Sequence, residues 1–353
     1  MRTMPPAAVA TAGAVCISSS AVLMRLAGTS ASVTALGRCA FALPVLGGLA
    51  LLERRRGAPR LAPRSRWLAR LAGLFLAGDL ILWSHSITAI GAGLGTVVTN
   101  LQVLIVSLLA WLILGERPRR SLLLASPVML AGLALVGGLA GGQAYGSDPS
   151  LGVGYGAGVA VLYAVYILLL RQATSPGKAD GRPAAVAGVL FEATAGAVAG
   201  SVVLGLVTGD FHTGPGLLTW PALGWLVLLA LTSQVLGWLL ITVSMPRLPA
   251  AMIGALLLVQ PAGSVALSYV ILGERPSARQ LLGVALVLTG VLVAVSGRGG
   301  LPAAQDQDRR GRLPAAQDQD HPPRLGSVEG QVVVEVPVAG YQVEAAGQPD
   351  RGD

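Results

Sequence analysis

Long apolar runs alternate with short polar segments over the first 297 residues of the chain. A helix that crosses a bilayer needs about 20 consecutive, mostly apolar residues. Windows of that length predict ten transmembrane helices, near residues 5–25, 32–52, 68–88, 92–114, 121–140, 151–171, 184–207, 219–243, 249–272 and 279–297. The pattern therefore predicts an all-α integral membrane protein.

The composition supports this interpretation. Hydrophobic residues make up 53% of the chain and charged residues 12%, and the mean hydropathy is +0.68. A soluble domain would carry about 25% charged residues. The net charge of +8 does not indicate a nucleic-acid partner, because the arginines lie in short loops between apolar runs and form no continuous basic face.

Lysine and arginine residues occur in alternate loops of the predicted helical array. They are concentrated in the segments 54–66, 117–120 and 171–182, whereas the loops 141–150 and 209–216 contain none. Loops rich in these cations face the cytoplasm. We therefore expect a multi-pass protein of the cytoplasmic membrane with both termini in the cytoplasm.

The character of the chain changes after the last apolar run. The segment 298–353 is polar and contains the octapeptide LPAAQDQD twice, at 301–308 and 313–320. Such a segment cannot bury enough apolar area to offset the entropy lost on ordering. The sequence predicts a disordered cytoplasmic tail.

Two parts of the apolar region are similar at an offset of 158 residues. The hexapeptide ILGERP occurs at 113–118 and again at 271–276. This repetition indicates a duplication, with units at 1–140 and 141–297. Each unit contains five predicted helices, an odd number, so the second unit should be inverted relative to the first. Inverted repeats are an architecture of secondary transporters.

The segments LILGERPRRSLLLASPVMLAGLALVGG and VILGERPSARQLLGVALVLTGVLVAV carry a more specific signal. Together with the segments 75–102 and 231–261, they resemble the two EamA-type repeats of the drug/metabolite transporter superfamily. The resemblance implies ten helices, a central cavity between the repeats, and export or uptake of metabolites, amino acids or toxic compounds. One departure is Val103, where the family usually has a proline; its counterpart Pro261 is present.

Three ionisable residues lie well inside predicted helices: Arg38, Asp79 and Glu192. A charge at mid-bilayer costs at least about 2.5–3.5 kcal/mol, so such residues usually face the interior of the bundle. Asp79, Trp83 and Ser86 share one helical face. This face could contact an amine-bearing or polar substrate, and Asp79 could also carry a coupling proton.

Each ionisable residue also has a structural interpretation. Asp79 could form an interhelical hydrogen bond or a salt bridge with Arg38. Arg38 could bind a substrate carboxylate or phosphate, or extend to the outer headgroups. Glu192 precedes Gly196 and Gly200 at a close-packing spacing. It could therefore be a buried interface residue or a second proton-coupling group.

Neutral polar residues complete the candidate site: Asn100, Gln102, Gln234, Trp238, Gln260 and Ser264. The repeat predicts that Gln102 and Gln260 face each other across a pseudo-two-fold axis. The alternative is interhelical hydrogen bonding worth about 0.6 kcal/mol each. Tyr163 and Tyr166 are weaker candidates, because aromatic residues in membrane helices often pack or anchor.

The repeated motif places a glutamate at two predicted helix ends, Glu116 and Glu274, each followed by an arginine. We expect both glutamates to be partly solvated, to pair with arginine and to hold a turn.

The sequence favours a secondary active transporter of small metabolites, amino acids or drug-like compounds, with export as the favoured direction and alternating access as the mechanism. A Walker motif is absent, so ATP is not the direct energy source. Metalloprotease and membrane-protease motifs are also absent, which disfavours a membrane-embedded enzyme. A sensor or scaffold without transport is the third alternative.

The partners predicted for this transporter are the lipid bilayer and a small-molecule substrate. No cofactor, metal or nucleic acid is expected. Proton coupling and a homodimer remain open.

Overall fold

The computed structural model describes residues 5–114, 120–139, 141, 144–174, 186–211, 219–244, 256 and 258–296. Helices are the regular secondary structure of this part of the chain, as the sequence predicts. Glu116 and the predicted tail 298–353 lie outside the described residues.

The helices follow one another with short connections. In chain order they are α1 Pro6–Ser18, α2 Ser20–Ala27, α3 Ala31–Arg55, α4 Pro63–Ile90, α5 Ala92–Val98, α6 Gln102–Leu114, α7 Arg120–Val136, α8 Pro149–Thr174, α9 Val186–Thr208, α10 Trp220–Leu229, α11 Trp238–Ser244, α12 Val259–Leu272 and α13 Ala278–Ser296. A 3₁₀ turn, Thr99–Leu101, joins α5 to α6, and a π-helical segment, Ala230–Gly237, joins α10 to α11.

Within the described ranges, seven helical stretches are long and apolar enough to cross a bilayer: Pro6–Ala27, Ala31–Arg55, Pro63–Ile90, Ala92–Leu109, Pro149–Leu170, Val186–Thr208 and Trp220–Ile241. Three shorter apolar helices are Arg120–Val136, Val259–Leu272 and Ala278–Ala294. These stretches overlap the predicted segments, which confirms a multi-pass helical membrane protein. The number of ten spans stays a prediction, and the start of the predicted helix 249–272 falls largely outside the described residues.

Local polar groups and glycines set several helix boundaries. The Ser30 side chain accepts a hydrogen bond from the Val33 backbone N–H at the start of α3, and Thr219 does the same for Ala222 at the start of α10. Such side-chain caps satisfy amides that have no partner within the helix. Gly91 has a φ of +95°, which lets the chain break between α4 and α5.

Packing between the helices shows an approximate two-fold pattern. Helix α4 packs on α8, and the corresponding helices of the second half, α10 and α11, pack on α2 and α1. Likewise α6 packs on α8 while α12 packs on α1. The pairs α3–α9 and α7–α13 each join equivalent helices. Exchange of the two halves therefore maps each of these interfaces onto another or onto itself.

The interface between α4 and α9 is especially close. A Cβ atom placed on Gly73 of α4 would overlap the backbone of Ala193, and one on Gly196 of α9 would overlap the backbone of Arg70. Small residues allow membrane helices to approach to backbone contact. The glycine face that follows Glu192 thus packs against another helix, as its spacing predicts.

Candidate functional site

A cavity of about 120 Å³ lies between helices from both halves of the chain. Its polar and aromatic lining consists of Arg38, Asp79, Trp83, Thr99, Gln102, Tyr163, Tyr166, Gln234, Trp238 and Gln260. Its apolar lining consists of Ile17, Leu76, Leu80, Val159 and Ile241. A polar pocket enclosed by apolar helices can bind a small molecule and orient it through a few polar groups.

The structure brings seven of the eleven sequence-predicted site residues to this cavity, and six of them form equivalent pairs. The offset of 158 residues pairs Gln102 with Gln260, and an offset of 155 residues pairs Asp79 with Gln234 and Trp83 with Trp238. The offset of 155 residues was visible in the sequence, because the i, i+4 pair Asp79 and Trp83 corresponds to the i, i+4 pair Gln234 and Trp238. Both copies of the repeat therefore contribute matching positions to one site.

Arg38 is held inside the bundle by neutral partners. Its Nε atom donates to Oε1 of Gln234 at 2.9 Å, and Nη1 donates to Oγ of Ser20 at 2.9 Å. Its Cζ atom lies 5.7 Å from the ring centroid of Trp83, within range of a cation–π contact. Arg38 is only 6% exposed, so it does not extend to the headgroups, and that alternative is excluded.

Asp79 and Trp83 present unsatisfied polar atoms. Among the described residues no carboxylate–guanidinium contact within 4.0 Å joins Asp79 to Arg38. Oδ1 of Asp79 and Nε1 of Trp83 are buried, and neither has a hydrogen-bond partner in the described part of the chain. Buried polar atoms are nearly always hydrogen-bonded. Two residues of the cavity lining thus carry a buried acceptor and a buried donor that have no partner among the described residues.

Three predicted site residues lie outside the cavity lining and form hydrogen bonds with other helical residues instead. Ser86 donates to the carbonyl oxygen of Gly152 on α8 at 2.9 Å. Asn100 donates to the carbonyl oxygen of Thr96 at 3.1 Å, one helical turn earlier. Ser264 donates to the Thr96 hydroxyl at 3.1 Å. The bonds of Ser86 and Ser264 join different helices, which is the structural alternative given for neutral polar residues, whereas the bond of Asn100 lies within its own helical stretch.

Glu192 also lies outside the lining, in a double ion pair. Its Oε1 accepts from Nε of Arg66 at 2.9 Å, and its Oε2 accepts from Nε of Arg70 at 2.7 Å. The carboxylate is buried, whereas both arginine side chains are about half exposed. The structure thus places Glu192 at the α4–α9 interface as an acceptor of two charged hydrogen bonds.

The prediction for Glu274 was wrong. This residue is buried, at 3% exposure, and its partners are backbone amides rather than arginine. Oε1 accepts from the N–H of Ala92 at 2.7 Å, and Oε2 accepts from the N–H of Gly93 at 3.2 Å. The first amides of a helix have no partner within it, so the carboxylate completes the start of α5.

Sequence reasoning underrated two tyrosines of the site. Tyr163 and Tyr166 of α8 line the cavity, with ring centroids 5.6 Å apart. Their i, i+3 spacing puts them on one helical face. However, the sequence does not indicate which helix this face of α8 contacts. The first repeat has no pair of tyrosines at corresponding positions that would single these two out.

Comparisons with known proteins concern the family and the fold of the chain. The model of the EamA-like transporter family matches two parts of the chain, residues 4–138 and 150–296. No curated protein matches the chain. A solved structure titled "Crystal structure of protein" is similar, with a TM-score of 0.52 and 18% identity over 87% of this chain and 99% of that chain. That likeness concerns the fold alone. The two family matches cover most of the sequence, and the chain belongs to the EamA-like transporter family of membrane proteins.

Proposed function

We propose that the protein is a secondary active transporter that exports a small metabolite, amino acid or drug-like compound across the cytoplasmic membrane. The substrate site is the cavity that contains Arg38 and Asp79. The observation that carries this proposal is the polar lining, which both halves of the chain supply at equivalent positions within apolar helices. Such a site at a repeat interface suits alternating access.

The proposed mechanism uses two inverted five-helix units, residues 1–140 and 141–297. Exchange of the halves maps the α4–α8 interface onto the packing of α10 and α11 against α2 and α1. Two near-equivalent arrangements of the same interfaces have similar energies, so the units can rock and expose the cavity to each side in turn. Family membership supports a transporter over an enzyme.

The proposed orientation has both termini and the tail 298–353 in the cytoplasm. The arginine-rich segment 54–66 precedes α4, and the ion pairs of Glu192 with Arg66 and Arg70 lie near the same end of that helix. Cytoplasmic loops carry the excess of arginine and lysine. This assignment places the start of α4 on the cytoplasmic side.

Asp79 is the proposed site of proton coupling. It is 5% exposed and faces the cavity, and no guanidinium lies within ion-pair distance of it in the described structure. A carboxyl group without an ion pair can exchange a proton as the cavity changes sides. Protonation in one orientation and release in the other would couple export to the proton gradient.

Comparative metabolite profiling of cells and medium tests the function. We expect cells that express the wild-type protein to release at least one small solute that cells with Asp79→Asn retain. Asp148→Asn is the matched control, because Asp148 is exposed before α8 and asparagine also caps helices. Identical solute profiles in all strains, with each protein present in the membrane, would contradict transport and favour a sensor or scaffold.

A further inference from the structure

We propose that the start of α4 binds the phosphate group of an anionic phospholipid from the surrounding bilayer, through Arg66 and Arg70. Neither arginine belongs to the lining of the central cavity. The lipid site is therefore separate from the proposed substrate site, and its test requires no transported solute.

Arg66 and Arg70 are held as a pair by one buried carboxylate. They are four residues apart on α4 and therefore lie on one helical face. Nε of each donates to a different oxygen of Glu192, at 2.9 Å and 2.7 Å. The Glu192 side chain is 7% exposed, whereas those of Arg66 and Arg70 are 49% and 56% exposed. The carboxylate thus fixes two guanidinium groups at the surface of the helical bundle.

Both guanidinium groups have donors to spare. A guanidinium has five N–H donors, and each of these arginines uses Nε for its bond to Glu192. The Nη atoms have no hydrogen-bond partner in the described part of the chain. Guanidinium groups match the geometry of phosphate oxygens and bind them through charged hydrogen bonds. Two neighbouring groups of this kind can bind one phosphate together.

The length of α4 brings this pair to the depth of lipid headgroups. The helix has 28 residues and is about 42 Å long at about 1.5 Å per residue, whereas the hydrocarbon core of a bilayer is about 30 Å thick. One end of α4 therefore extends beyond the hydrocarbon. Trp67 lies between the two arginines in the sequence and is 66% exposed. Tryptophan is enriched at the boundary between hydrocarbon and headgroups, which assigns this boundary to the first turns of α4.

The charge around the pair favours an anion. The segment 54–64 supplies five further arginines, all exposed: Arg54, Arg55, Arg56, Arg60 and Arg64. None of these five forms an ion pair within 4.0 Å among the described residues. The two carboxylates described at this end are already bound, Glu53 by the amides of Ala187 and Gly188, and Glu192 by the arginine pair. Basic side chains near the membrane surface attract anionic lipids.

The same face of α4 also offers a surface for an acyl chain. Leu74 follows Arg70 by one helical turn and is 46% exposed. The face thus passes from two cations to an apolar side chain in the direction of the hydrocarbon. A phospholipid has a phosphate and acyl chains in the same order, whereas a soluble phosphate makes no use of the apolar part. A lipid is therefore the ligand that fits this surface.

Lipid binding to the purified full-length protein in non-ionic detergent tests the site, with native mass spectrometry as the measurement. Palmitoyl-oleoyl phosphatidylglycerol and palmitoyl-oleoyl phosphatidylcholine share their acyl chains and differ in net charge. We expect phosphatidylglycerol to bind about 10-fold more tightly than phosphatidylcholine, because charged hydrogen bonds to a net anion are the stronger ones. Inorganic phosphate, added as a competitor, should not displace phosphatidylglycerol at equal concentration.

Two matched double variants locate the site. Both are made in a Glu192→Gln protein, so that no buried carboxylate loses its partners. Arg66→Gln with Arg70→Gln should abolish the preference for phosphatidylglycerol. Arg54→Gln with Arg55→Gln removes the same charge from the end of α3 and should retain most of the preference. Thermal melting verifies that each variant is folded.

The outcomes separate a defined site from a diffuse attraction. Equal loss of preference in both double variants, or no preference in the folded wild-type protein, overturns the site. Displacement of phosphatidylglycerol by equal inorganic phosphate shows a soluble anion to be the ligand and overturns the lipid assignment. If the Arg66 and Arg70 glutamine variant does not fold, Arg66→Lys with Arg70→Lys decides the matter. Lysine keeps the charge beside Glu192 but lacks the planar fork, so an unchanged preference in this variant contradicts the proposal.

Discussion

Oε2 of Glu192 lies 2.7 Å from Nε of Arg70, and this contact joins α9 to α4 beside the close approach of their backbones at Gly73 and Gly196. Oε1 of the same carboxylate binds Arg66. The ion pairs and the glycines Gly73 and Gly196 therefore act on one interface. Helices α4 and α9 thus form a close contact between the two proposed units.

Removal of the Glu192 charge should weaken this contact between α4 and α9 without stopping transport. Glu192→Gln loses two charged hydrogen bonds whose arginines are half exposed, so we expect the stability to fall by about 1–3 kcal/mol. Thermal melting in detergent measures the change, with Arg64→Gln as the exposed control. A folded Glu192→Gln protein that has lost export would show that the residue takes part in coupling.

The close approach of the two helices gives a second prediction. Gly196→Ala places a methyl group against the Arg70 backbone, and overpacking of this kind costs about 1–3 kcal/mol. Gly48→Ala is the matched control, because nothing lies within 4 Å of its Cβ position and alanine favours a helix by about 0.5–1 kcal/mol. Melting temperatures should shift in opposite directions. A similar shift in both variants would contradict the packing.

Asp79→Asn should abolish proton-driven export while leaving the protein folded. Asparagine has nearly the same shape but cannot release a proton, so the cavity loses its proposed coupling group. Flux of the exported solute in proteoliposomes, driven by an imposed pH gradient, measures the effect, and thermal melting checks the fold. Undiminished proton-driven flux would remove Asp79 from the coupling mechanism.

A chain that ends at residue 297 should transport as well as the full chain. The removed segment is polar and repetitive and lies outside both matches to the family. Export measured per inserted protein is the relevant quantity. Loss of export by a correctly inserted truncated chain would show that the tail acts in transport.

The sequence predicted the apolar helices and much of the cavity lining. A polar side chain within a 20-residue apolar run is conspicuous, which is why Arg38, Asp79 and Gln102 were selected. The same reasoning could not distinguish cavity residues from interhelical bonds, since Ser86 and Ser264 have the same local pattern. That distinction depends on which helices meet, and chain periodicity does not encode it.

The error at Glu274 has a tertiary cause. Its partner Ala92 is 182 residues away in the chain, and the neighbouring arginine suggested a solvated ion pair. Only the packed structure brings the start of α5 beneath the carboxylate. The π-helical segment Ala230–Gly237 was likewise not predicted, because a change of helical phase cannot be recognised in a run that is apolar on nearly all sides.

That widened turn has a consequence for how the cavity can change shape. Gln234 lies within it, and Trp238 and Ile241 follow it. A π turn holds about one residue more than an α turn, and one residue corresponds to about 100° around the helix axis. Conversion of this eight-residue segment to α-helical hydrogen bonding would rotate Trp238 and Ile241 relative to the rest of the cavity lining. The side chains that line the cavity could thus change through rotation about the helix axis, without a tilt of the helix.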